Sequence, residues 1–280
     1  MKGLFTRLWE TWLAAPIRKV EADALAYRLS DAGRRTDWRT PAVLITAAVC
    51  LTVQNYTSNP SAVLDAVKFC GRLVGAPETG AAAEQALRRW SWDQLSSRIW
   101  WAWVSVLTYA GLPLVVLVLG FRAPLKEYGL KLTGVFNAWP LYALFVLVMA
   151  PLVWYCSAGE RFQHTYPFVR FHSPAEVREQ LWKWELSYAA QFVALEFFFR
   201  GFVVHGTKHR FGVYSVFVMT FPYVMIHFGK PWPETCASII AGVVLGYMSL
   251  ATRSVWLGAS LHIAVAWGMD FACLARRGLL

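Results

Sequence analysis

Charged residues along this chain come in clusters separated by long apolar intervals. No Asp, Glu, Lys or Arg lies between Arg39 and Asp65, Arg98 and Arg122, Lys131 and Glu160, or Arg210 and Lys230. Two further gaps run from Glu234 to Arg253 and from Arg253 to Asp270. A membrane-crossing helix needs about 20 largely apolar residues, and most of these gaps reach or approach that length. The pattern predicts seven spans, near 41–57, 99–121, 136–156, 184–207, 213–229, 236–252 and 255–274. The expected fold class is all-α, a polytopic membrane helical bundle.

The polar stretches organise the rest. Residues 1–40 mix both signs of charge and hold no apolar core followed by a small-residue cleavage site, so they do not resemble a secretory signal. "LFTRLWETWLAAPI" within them predicts an interfacial amphipathic helix, with Trp9 and Trp12 suited to the headgroup layer. Residues 41–180 hold the first spans and a polar insertion at about 58–98, with short helices expected around Ala62–Val74 and Ala81–Leu95. Ser173 before Pro174, with Glu176 in the first turn, reads as a helix start. Gly242 and Gly246 make a small-xxx-small face that lets two helices approach closely.

Composition agrees with the pattern. Hydrophobic residues make up 57% of the chain and charged residues 16%, which excludes an ordinary soluble domain. The net charge of +10 therefore points to loops facing anionic membrane lipids, with no nucleic-acid partner expected. With the N-terminus inside, the inner segments carry 15 Lys/Arg against 12 outside, an asymmetry that favours this orientation. Five scattered cysteines show no paired spacing, so neither a disulfide framework nor a thiolate metal site is indicated.

Ionisable groups inside the spans are the candidates for chemistry, because their burial in lipid is costly. They are Glu196, Arg200, His227, His262 and Asp270. The plain alternative is structural, since Glu196 and Arg200 stand four apart and can neutralise each other on one helix face. Depth argues for more. The fourth and fifth spans form a hairpin turning near position 211.5, and Glu196 and His227 lie equally far from that point, about 23 Å along each helix. From the next turn, at Arg253, His262 lies about 13 Å away and Asp270 about 25 Å, so Asp270 matches the depth of Glu196 better on an untilted helix, while tilt can bring His262 level. Glu196, His227 and His262 form a familiar donor set for Zn²⁺ or another divalent metal with one position left for water. Without a metal, Glu and His can deprotonate a water directly. Both routes lead to hydrolysis inside the membrane.

The order "EFFFRG", "HFGKP" and then "LH" about 35 residues later resembles the CPBP intramembrane proteases. That family includes the eukaryotic CAAX-processing endoprotease and bacterial relatives linked to bacteriocin processing and self-immunity. Its motifs are Glu-Glu-x-x-x-Arg, Phe-x-x-x-His and His-x-x-x-Asn/Asp. The resemblance covers roughly Trp182 to Leu274, and it makes residues 181–275 the expected core. It assigns Glu196 to the second glutamate, Arg200 to the arginine, His227 and His262 to the two histidines, and Tyr223 to the phenylalanine. Leu195 stands at the first glutamate, the family's water-activating residue, and Ala266 at the Asn/Asp. Asp270, one turn further on, or Glu185, three turns before Glu196, is a candidate replacement acid.

The resemblance implies an endopeptidase in a bacterial cytoplasmic membrane, cutting a membrane-associated or lipidated protein or peptide. Glu196 would activate or ligate the water, His227 and His262 would bind metal or polarise the water, and Asp270 would orient a histidine. Two alternatives stay open: a catalytically inactive relative acting as a membrane scaffold, and a proton-coupled transporter that uses the same buried groups as a relay.

Overall fold

The computed structural model describes residues 9–89, 93–132 and 139–280, together with Thr6. The start of the expected interfacial helix, the end of the second insertion helix and the first residues of the third span lie outside the described residues. Every labelled element below is helical, and the described residues contain no β-strand.

The first helices lead the chain into the bundle. Helix α1 is Ala15–Leu29 and α2 is Arg39–Thr57. Asp37 caps the start of α2 by accepting from the backbone N–H groups of Arg39 and Thr40. The polar insertion forms α3, Pro60–Leu73, and α4, Glu78–Arg89, as its composition predicts. Helix α5 runs over Gln94–Gly120 and α6 over Trp139–Cys156.

Helix α7 carries the centre of the molecule. It begins at Pro174, where the Ser173 hydroxyl accepts from Glu176 N–H and the Glu176 carboxylate accepts from His172 N–H. This is the reciprocal arrangement of a capping box, shifted by one residue. The α-helix runs to Glu196, becomes π-helical over Phe197–His205, and ends with Gly206–Phe211. The chain then reverses at Gly212, whose φ of 58° favours glycine. Glu21 of α1 packs into the space a Cβ would need there and accepts from Val213 N–H. Helix α8, Ser215–Met225, returns antiparallel. Four helical stretches are long and apolar enough to cross a membrane, and one of them, Pro174–Met225, is this folded-back α7–α8 pair. The chain is thus an all-α, multi-pass membrane protein.

One expected span is shorter than its apolar interval. The interval at 213–229 predicts a helix to its end, but α8 stops at Met225. Gly229 has a φ of 89° and Pro231 follows it, so the backbone turns out before the next helix. His227 sits in that turn, not on a helix. Helices α9, Trp232–Thr252, and α10, Trp256–Arg276, complete the bundle, joined through Arg253 in the left-handed region.

The α8–α9 contact depends on two glycines. A Cβ on Gly246 would come within 2.6 Å of the Val216 side chain, and one on Gly242 within 2.8 Å of Thr220. Their absence brings α9 close enough for Ala241 O to reach the α7 interior. We expect Gly246→Ala to lower stability by about 1–3 kcal/mol through overpacking. Gly268→Ala, at a position with open space around it, should be neutral or slightly stabilising. Thermal unfolding of both variants in detergent micelles is the measurement.

Candidate functional site

Glu196 is the last α-helical residue before the π-helical stretch, and Arg200 follows within that stretch. Both are fully buried. Arg200 Nη1 donates to Glu196 Oε1 at 2.9 Å, so the i,i+4 pair is formed. Arg200 is held from two further sides. Its Nη2 donates to Ala241 O on α9 at 3.4 Å, and its guanidinium lies 4.1 Å from the Tyr223 ring centroid.

The same carboxylate oxygen meets a histidine. His262 Nδ1 lies 2.6 Å from Glu196 Oε1. A carboxylate accepts, so Nδ1 carries the proton and Nε2 is left with a lone pair. Nε2 lies 3.0 Å from the Tyr223 hydroxyl, which donates to it. The His262 ring stacks on Phe192 with centroids 5.1 Å apart, which fixes its plane. Gly258, one turn before His262 on α10, makes room for the carboxylate, since a Cβ there would approach Glu196 Oε2 to 2.2 Å.

His227 enters through Tyr223. Its Nδ1 donates to Tyr223 O at 2.8 Å, leaving Nε2 as the acceptor nitrogen. Its own carbonyl accepts from Thr235 Oγ1 on α9 at 2.9 Å, and this ties down the turn that carries it. His227 therefore does not pair with Glu196; Tyr223 and His262 link them.

Two cavities meet at this group. A polar one of about 580 Å³ is lined by Leu195, Gln191, Tyr223, His227 and His262 among others. A smaller one of about 160 Å³ shares Tyr223, His227 and His262 and adds Glu234 and Ala266. Glu196 lines neither. The two histidines and Tyr223 are the residues among these that line both cavities.

Asp270 differs from expectation. It does not orient a histidine: its Oδ2 accepts from Trp184 Nε1 at 2.8 Å, two helical turns from His262 on α10. Glu185 is within electrostatic reach of Asp270 and does not join Glu196. Both acids are buried, and three of their four carboxylate oxygens have no hydrogen-bond partner. Depth counted from the turn favours Asp270 over His262 as the partner of Glu196, but helix packing selects His262.

The expected metal set does not assemble either. Among the described residues no three His, Cys, Asp or Glu side chains are gathered so as to hold an ion. Both nitrogens of His262 are engaged, one by Glu196 and the other by Tyr223. The residues as arranged do not fit the tetrahedral donor set expected for Zn²⁺.

Comparison with known proteins agrees with this region. Residues 178–268 match the family described as type II CAAX prenyl endopeptidase Rce1-like. This stretch, about a third of the chain, is similar to the CAAX-protease family. No curated protein and no solved structure matches the chain. The matched stretch holds Glu196, Arg200, His227 and His262 and stops short of Asp270.

Tyr223 is the site residue that sequence reasoning passed over. Its signal was present as a hydroxyl at a motif position where the family carries phenylalanine. Gly258 gave no comparable signal, since only the packing of α10 brings it to the site.

Removing one partner of the buried pair leaves the other charge uncompensated. Glu196→Gln should therefore cost about 3–5 kcal/mol of stability. The double variant Glu196→Gln/Arg200→Met should recover more than half of that loss. Equilibrium unfolding in mixed micelles measures both, and additive losses would contradict the pairing.

Proposed function

We propose that this chain is an intramembrane endopeptidase in which His262 is the general base. The observation that carries the reading is the bond from His262 Nδ1 to the buried Glu196, which makes Nε2 the acceptor nitrogen, bound to the Tyr223 hydroxyl, on a residue that lines the cavity. Glu196 is a positioning residue: it fixes the tautomer and stabilises the imidazolium that forms. Arg200 holds the carboxylate in place through its 2.9 Å hydrogen bond.

Peptide hydrolysis follows from these roles. A water entering the cavity takes the place of the Tyr223 hydroxyl at His262 Nε2. Its second hydrogen is accepted by His227 Nε2. His262 removes a proton as the water oxygen attacks the scissile carbonyl carbon. The freed Tyr223 hydroxyl donates to the resulting oxyanion. The C–N bond then breaks, and the proton passes from His262 to the leaving amine. The substrate is a membrane-associated peptide or protein, since the site lies within the helical bundle.

A second reading has one observation in its favour. Leu195 lines the polar cavity where the family's first glutamate would stand, which suits a relative that binds peptide without cutting it. Cleavage of membrane peptides by the purified protein in liposomes separates the two. His262→Ala should lower turnover by about 10²–10⁴, and Tyr223→Phe by about 10²–10³ through loss of one oxyanion donor. Turnover unchanged in both variants would end the peptidase reading. Wild-type protein that cuts nothing, beside a Leu195→Glu variant that does, would identify a binding site derived from an enzyme.

A further inference from the structure

The polar cavity has walls of two origins. Gln191, Leu195, Tyr223, His227 and His262 come from the matched core, whereas the facing wall comes from α2 and α5, outside it. That outer wall includes Gln54, Asn55 and Arg98. No Asp or Glu lines the cavity among the described residues, while two cations do. Arg98 lies 5.4 Å and Lys230 5.9 Å from the centroid of the Phe168 ring.

The two cations are not equivalent. Lys230 Nζ is 2.6 Å from Glu234 Oε1, and its charge is answered within the chain. Arg98 rests on the Phe168 ring and has no carboxylate partner among the described residues. It is exposed on the cavity side, so its fork of N–H donors is free to take a planar carboxylate. A separate observation points to a peptide. Gln191 is 3% exposed, and its Oε1 has no hydrogen-bond partner. An unmet buried acceptor is unfavourable by about 1–3 kcal/mol, and a peptide N–H would satisfy it.

We propose that Arg98 is a specificity-determining residue that binds a carboxylate on the peptide substrate, while Gln191 accepts one of its backbone N–H groups. This deepens the peptidase reading and rests on it. It also assigns substrate selection to the part of the chain that lies outside the family core. The carboxylate belongs either to an acidic side chain or to a free C-terminus, and both present the same chemistry to a guanidinium.

Equilibrium binding tests this without requiring turnover. Three versions of one fluorescein-labelled apolar octapeptide are titrated with the full chain in detergent micelles and followed by anisotropy. One carries Glu and an amidated C-terminus, one carries Gln and a free C-terminus, and one is neutral at both places. At least one carboxylate peptide should bind about tenfold or more tightly than the neutral one, as a charge-assisted hydrogen bond implies. The version that does so identifies the source of the carboxylate.

Arg98→Gln should abolish the preference, Arg98→Lys should retain part of it, and Arg98→Glu should shift it to a peptide bearing Lys. That reversal cannot arise from misfolding. Where cleavage is measurable, Arg98→Gln should raise KM and leave kcat unchanged. Equal affinity for all three peptides, no binding of any, or a loss in Arg98→Gln shared by all three would overturn the proposal. A carboxylate preference in a protein that cuts nothing would sink the peptidase reading and keep the Arg98 site. Cleavage with no charge preference would do the opposite.

Discussion

The buried pair of Glu196 and Arg200 is the constraint around which the bundle is arranged. Two charges removed from water need excellent geometry and further hydrogen bonds to be tolerated, and one helix cannot supply them. The extra partners come from three neighbours: Ala241 O on α9, the Tyr223 ring on α8 and His262 on α10. Each contact requires a close helix approach. Small residues permit it, with Gly242 and Gly246 on one contact and Gly258 on the other. The glycines and the ion pair are thus parts of one packing solution.

That solution also determines which group meets the cavity. Glu196 is fully buried, and its hydrogen-bond partner His262 is the one that lines the cavity. In His262 one nitrogen is bound to the carboxylate and the other to the Tyr223 hydroxyl, and both residues line the cavity. The π-helical stretch begins at the residue after Glu196, and wide turns of this kind occur often at functional sites. Glu185 and Asp270 form a second buried acid group on the α7–α10 contact, away from the two histidines.

Much of the architecture was legible because lipid imposes simple rules. Backbone polar groups must be satisfied within each span, so charge-free intervals predict helices, and those intervals found α2, α5, α9 and α10 closely. The α7 start at Ser173 and the hairpin turn near residue 212 were also legible, since both depend on local caps and on where basic residues can sit. The end of α8 was less so. An apolar run continues to Phe228, but Gly229 and Pro231 decide the backbone, and hydropathy alone does not weigh them. Depth counting failed for the last helix because rise per residue ignores tilt and rotation, and these are set by packing.

The sequence by itself determined a multi-pass helical protein, the residues whose charges had to be answered inside it, and a motif order similar to that of the CAAX proteases. These follow from composition and spacing, which act through solvation and local geometry. Only the tertiary structure decided that His262 rather than Asp270 meets Glu196, that Tyr223 joins the two histidines, and that Leu195 faces a polar cavity. Each of those depends on how helices distant in sequence rotate against one another. Side-chain shape and the absence of a Cβ at a few glycines control that rotation, and of these only the Gly242/Gly246 spacing leaves a trace in the sequence.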